Sequence, residues 1–225
     1  MNEAAVSPRE RYRQQVRDEI KSHAWTQVAT AGASALSLNA IAKQMGISGP
    51  ALYRYYGSRD ELITELILDA YRDLADACHA AVGNERTPTA RLSAGAGAVR
   101  GWALAAPHRY LLIYGTPVPG YAAPPETTAI AASIMNLLLD AFAELDGPTG
   151  RPAKPVAALD RNLATHRDWA AAVPGAPAGA LRRALLFWTR LHGVVSLELA
   201  GHFGDMAFDP ALLYAAEVHT TIHPK

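Results

Sequence analysis

Between residues 37 and 59 the chain gathers hydroxyl and guanidinium groups: Ser37, Ser48, Tyr53, Arg54 and Arg59, with Tyr55 among them. Such groups donate hydrogen bonds to phosphate oxygens and to the acceptor-rich edges of bases in a DNA major groove. Ser37 and Ser48 also stand where short helices begin, and backbone amides there already favour an anion. The parts that covalent chemistry needs are missing. The sequence has no Walker loop, no Gly-x-Ser-x-Gly and no His-Glu-x-x-His. Gly95-Ala96-Gly97 lacks a preceding strand and a correctly placed third glycine, so it reads as helix packing rather than a dinucleotide site. The histidines show no i, i+4 pair joined to a third ligand, so neither a metal nor a cofactor is expected.

These donors need a scaffold, and the hydrophobic periodicity supplies one made of helices. No segment alternates with period 2, so the fold class is all-α, with about nine or ten helices. From Pro8 the residues Tyr12, Val16, Ile20, Ala24 and Val28 recur every four positions until Gly32. Leu38, Ile41, Ala42 and Met45 form the next stripe, opened by Ser37 as N-cap and closed by Gly46. After Ile47, Ser48 caps a third short helix with Leu52 and Tyr56 on its inner side and Tyr53 and Arg54 outward. Ser58 and Glu61 form a capping box for a long fourth helix running to about Val82. Further helices are expected at 88–105, 107–114, 124–145, 155–173, 178–202 and 209–222, divided by Pro/Gly-rich stretches of which 146–155 should be the most mobile.

A small residue at the bend, an apolar residue after it and outward donors on the second helix are what a helix-turn-helix requires. The competing reading of residues 37–57 is a helical hairpin that only fills a core; the polar and aromatic groups on the outer face favour the groove reader. Arg9, Arg11, Arg13 and Arg17 carry two readings: a solvated face, or a helix end that touches phosphate or minor groove.

Composition bounds the rest. Half of the 225 residues are hydrophobic and 19% are charged, enough for an ordinary core and against disorder. Overall charge is zero, yet residues 1–60 hold 8 Lys/Arg against 5 Asp/Glu (net +3) and residues 61–225 hold 13 against 16 (net −3). That asymmetry permits a DNA-binding front. The single cysteine, Cys78, lies in an apolar helical pattern and reads as a core thiol in a reducing compartment. The first residues have no apolar signal-peptide core, and no run approaches the roughly 20 apolar residues of a membrane span. A cytoplasmic protein without membrane contact is expected.

The stretch SLNAIAKQMGISGPALYRYYGSRDELI resembles the signature of the TetR family of transcription regulators, over about residues 10–65. The resemblance implies a helix-turn-helix DNA-binding domain over 1–60 and a larger helical effector-binding and dimerisation domain over 61–225. It also implies contacts to double-stranded operator DNA from Ser37, Ser48, Gly49, Pro50, Ala51, Tyr53, Arg54, Tyr55 and Arg59. One departure stands out. Gly49-Pro50 replaces the family's frequent Lys-Gly, removing an amine and a backbone amide for which Arg54 and Arg59 are the compensating candidates.

Farther on, Trp188, His192 and Gly193 resemble the carboxy-terminal domain class named for its W-H-G residues, and Pro107-His108-Arg109-Tyr110 fits the same class. The resemblance implies a homodimer through the last two helices, about 178–202 and 209–222, with repression lifted by a small-molecule effector. Gly193 suits a close helix approach, either across that interface or within the interior. Aromatic and polar candidates for the effector pocket are Trp102, Tyr110, Tyr114, Tyr121, Phe142, Trp169, Trp188 and His192. For Trp188 and His192, four apart on one face, a packed core pair is the competing reading.

Overall fold

The computed structural model describes residues 7–122, 124–145 and 153–224, and among them the regular elements are ten α-helices with short 3-10 turns and no strand. The helices are α1 Pro8–Ala31, α2 Leu38–Gln44, α3 Gly49–Leu52, α4 Arg59–Gly83, α5 Pro88–Ala105, α6 Pro107–Tyr114, α7 Pro125–Glu144, α8 Lys154–Thr165, α9 Ala178–Leu199 and α10 Pro210–Ile222. None is long and apolar enough to cross a membrane. The all-helical expectation holds, and most boundaries fall within a residue or two of those expected.

One helix differs. The stretch expected as 155–173 ends at Thr165, and a 3-10 turn occupies Asp168–Ala170. Arg167 explains the break: its guanidinium donates to the carbonyls of Val173 (3.3 Å) and Ala176 (3.1 Å), pinning a turn that continued helix would prevent. The indole of Trp169 donates to the His166 carbonyl at 3.1 Å, closing the same corner. Most of the 146–155 linker, residues 146–152, lies outside the described residues.

Two compact units form. The first is residues 1–70 with 107–124, and the second is 71–106 with 125–225. This division cuts across the expected boundary after residue 60: the first twelve residues of α4, and α6 with the segment after it, belong with the front of the chain.

In the first unit α1 buries Ile20, Ala24 and Val28, and α2 buries Leu38, Ile41 and Ala42, around the fully buried Leu52, Tyr56, Leu62, Ile63 and Leu66. Arg17 lies over the Tyr56 ring at 4.2 Å. Burial pushes the Tyr56 phenol up to about 12, and its hydroxyl has no hydrogen-bond partner among the described residues, so it serves as apolar filling. α6 joins this unit through Trp25, whose ring meets His108 edge-on at 5.6 Å and the Arg109 guanidinium at 5.0 Å.

The second unit is built around α9, which α5, α7, α8 and α10 all flank. Leu181, Ala184, Phe187, Leu191 and Val195 make its inner stripe. Phe187 packs edge-on against Phe142 of α7 at 5.5 Å. Polar ties fix the layers: Arg100 of α5 forks onto Glu198 of α9 (3.1 and 2.6 Å), and the Tyr214 hydroxyl donates to the Ala96 carbonyl at 2.8 Å. Cys78 is buried and its thiol is pushed up to about 11 by loss of water.

Candidate nucleic-acid interface

Local capping rules place the polar groups of α2 and α3. The Ser37 hydroxyl oxygen accepts from the Ala40 amide at 3.3 Å, and that of Ser48 accepts from Ala51 at 3.4 Å. Each hydroxyl keeps its proton free to donate outward. The turn between the helices needs a left-handed residue, and Gly46 supplies it at φ +67. Ile47 then donates its amide to the Ala42 carbonyl at 3.0 Å and locks the second helix to the first. Pro50 costs nothing at the start of α3, where amides lack intrahelical partners.

α3 closes after one turn, and residues 53–55 continue as a tight turn in which Tyr55 donates to the Leu52 carbonyl at 2.8 Å. Leu52 and Tyr56 point inward, fully buried. Tyr53 (46% exposed) and Arg54 therefore project outward, and Arg54 has no partner among the described residues. Tyr55, Gly49 and Ala51 are half-buried, while Ser48 and Pro50 are exposed. A side chain on Gly49 would meet the Asn39 amide oxygen at 3.4 Å, so the glycine lets the start of α3 lie close to α2.

Arg59 does something other than expected. Its guanidinium donates to the carbonyls of Leu36 (3.1 Å), Ala33 (2.9 Å) and Ser34 (3.1 Å), tying the α1–α2 connection to the start of α4. With its donors engaged there, it is a poor compensator for the amine missing before Ala51. Lys43, exposed in the last turn of α2 and unpartnered among the described residues, is the cation that the sequence reading passed over. Its signal was available: a lysine ending the helix just before the turn glycine. The capping box is also offset. Glu61 takes its amide bond to Ser58 (3.1 Å), but its carboxylate accepts from Gly57 (2.6 Å) instead of Ser58.

This geometry matches known sequences in two pieces. Residues 20–66 match the model of bacterial regulatory proteins of the tetR family, and residues 92–221 match the tetracyclin repressor-like C-terminal domain. The chain belongs to the TetR family. Among its relatives, the HTH-type transcriptional regulator Rv1816 of Mycobacterium tuberculosis is 36% identical over 227 residues, covering 96% of this chain and 95% of the relative. A crystal structure described as that of a candidate regulatory protein, SCO4313, shares 58% identity and a TM-score of 0.84, covering 97% of this chain and all of the other. The TetR regulator PfmR from Thermus thermophilus, at 16% identity and TM-score 0.57 over 90% of this chain and 96% of its own, shares the fold. The chain is thus a TetR-family transcription regulator of the helix-turn-helix type, and its relatives are regulators rather than enzymes.

The eight aromatic and polar candidates for a TetR effector pocket are divided between the two units. Tyr110, Tyr114 and Tyr121 lie in the first unit, where Tyr110 is fully buried against Tyr114 (5.3 Å) and the Tyr121 hydroxyl pairs with that of Thr64 at 3.0 Å. In the second unit Phe142 is core, Trp102 donates to the Asp73 carboxylate at 3.0 Å, and Trp169 closes the turn described above. Trp188 and His192 stack with centroids 5.0 Å apart, and burial pushes the imidazole down to about 4. Among the described residues, clefts of about 470, 500 and 380 Å³ open on the surfaces of the two units, and these are lined by other residues than the eight. Among the described residues no group of three or more His, Cys, Asp or Glu is arranged to hold a metal.

Proposed function

We propose that this TetR-family regulator is a repressor that grips a palindromic operator as a homodimer and releases it when a small-molecule effector binds the second unit. The observation that carries the DNA half is the outward pair Tyr53–Arg54, held by the buried Leu52 and Tyr56, with side chains that no other group engages among the described residues. Arg54 reads base edges, Tyr53 and the hydroxyls of Ser37 and Ser48 hold phosphates, and Lys43 adds a cation beside them. Gly49, Pro50 and Ala51 let the backbone of α3 approach the groove, with Tyr55 at its margin. A two-fold axis would set two such elements about one DNA turn apart, roughly 34–36 Å.

The dimer reading rests on what α9 and α10 leave uncovered. Opposite its buried stripe, α9 exposes Leu186, Gly193 and Leu197 (45%), and α10 exposes Leu212 (69%), Ala215, Ala216 and His219. Apolar helix faces of this kind are stabilised by burial against a second copy. A Cβ on Gly193 would meet nothing within 4 Å, so packing inside the protomer does not account for a glycine in mid-helix, where it costs about 1 kcal/mol. A partner helix close to that point does.

For the effector, the part-exposed Trp102, Trp169, Trp188 and His192 are the candidates in the second unit that keep a face available. α4 runs unbroken from the first unit into the second at residues 70 and 71. A ligand preferring one orientation of α4 would shift the population between operator-competent and operator-incompetent dimers. A coupling of about 1–3 kcal/mol changes operator affinity by roughly 5–150-fold.

The test is binding of the purified protein to DNA flanking its own gene at two salt concentrations, with and without a panel of lipophilic compounds. Selective binding that weakens with salt and is released by one compound supports the whole reading. Selective binding that no compound releases removes the effector half, and absence of selective binding points to a helical protein-binding adaptor.

A further inference from the structure

Arg9, Arg13, Arg17 and Lys21 stand four residues apart and form a gently spiralling cationic row along α1. Its carboxy-terminal half is neutralised within the first unit. Arg17 donates to the Tyr55 carbonyl at 2.7 Å and pairs with Glu65 of α4 at 3.4 Å, and Lys21 pairs with Asp69 of α4 at 2.8 Å. The amino-terminal half is not. Residues 7–15 are exposed throughout, and neither Arg9 nor Arg13 has a partner among the described residues.

This end of α1 is nevertheless a well-formed helix. Ser7 and Glu10 close a reciprocal capping box (3.0 and 3.2 Å), Pro8 occupies the first turn, and Gln14 donates to Asp18 at 2.9 Å. The one large apolar side chain here, Tyr12, is 64% exposed, so burial does not account for this extension and it needs another reason. Position supplies one. Arg17 is fixed directly to the backbone of Tyr55, beside the outward Tyr53–Arg54 pair, so Arg13 and Arg9 follow about 6 and about 12 Å farther along the same helix. Residues 7–17 hold four arginines against one glutamate, next to an element that reads an anionic polymer.

We infer that the first two turns of α1 are a phosphate-binding rail, in which Arg9 and Arg13 contact the DNA backbone beside the segment read by Tyr53 and Arg54. The occupant is duplex DNA because the rail is continuous with the recognition element and complementary to it in charge. This inference rests on the DNA-binding reading above. It adds affinity without sequence information, since guanidinium–phosphate contacts are blind to the bases.

Two released phosphate counterions steepen the salt dependence of log K by about 1.8, so between about 50 and about 200 mM salt the wild type should lose about 12-fold more affinity than a variant without them. The experiment titrates a short randomised duplex and a duplex selected from it by the wild type, across salt, with wild type, the double variant Arg9→Ala/Arg13→Ala and the charge-keeping Arg9→Lys/Arg13→Lys. The expected result is a shallower slope on both duplexes for the alanine pair, an unchanged ratio between the duplexes, a slope near wild type for the lysine pair, and equal helicity in all three. An alanine pair that keeps the wild-type slope overturns the rail while the DNA reading stands. A wild type that binds neither duplex overturns both.

Discussion

The α2–α3 segment and the α9 helix use the same currency of apolar and polar faces to opposite ends. In the first, short capping contacts three residues long hold a few buried side chains so that Tyr53 and Arg54 are left facing outward. In the second, pocket candidates turn inward or toward one another: Phe142 packs against Phe187 of α9, and Trp188 meets His192. The lesson is that a surface reader is specified locally, whereas an interior built from aromatic side chains is specified by distant partners. Substitutions in the two regions should therefore separate binding from stability.

The largest effect belongs to the interior. Phe187→Ala removes a fully buried ring and should cost about 3–5 kcal/mol in chemical denaturation. A loss under about 1 kcal/mol would mean that α9 is not the keystone of its unit. Next is His192. The unfolded imidazole takes a proton near pH 6.5, while the folded one resists to about 4, so the unfolded state binds the proton first. Stability should be complete above about pH 6.5 and fall by on the order of 3 kcal/mol as the pH drops toward 4. Thermal melts should show a shallower fall in His192→Gln than in wild type; parallel curves would reject a neutral, desolvated imidazole.

Arg54→Ala comes third and should reverse the pattern: operator affinity reduced by about 1–3 kcal/mol, with the melting temperature unmoved. Unchanged affinity in a gel-shift titration would take Arg54 out of the interface. The smallest change, Gly193→Ala, sharpens the contrast most. In an isolated protomer the extra methyl meets open space and should raise helix stability by about 1 kcal/mol. If a second copy lies against that point, sedimentation should instead show a weaker dimer.

What the sequence made legible follows the same divide. Ser37, Ser48 and Gly46 obey rules that act over three or four residues, and the structure places each where those rules put it. Arg59 eluded the reading because its acceptors lie 23 to 26 residues away, on a connection whose path no local rule fixes. Arg167 broke a helix by reaching carbonyls six and nine residues ahead, on either side of Pro174. Trp102 likewise found its acceptor 29 residues upstream, in α4. Helix periodicity said which faces are apolar, but three-dimensional neighbours decided which aromatic residue met which.

Cys78 has a practical consequence. Because the chain holds one sulfhydryl, shut inside the second unit with its acidity suppressed to about 11, a thiol reagent can modify the native protein only when that unit opens. The molecule carries its own stopwatch for breathing. Labelling kinetics at a single atom would time the opening of this unit in unaltered protein, and the same trace repeated with each compound of a screen would show which one holds the unit closed.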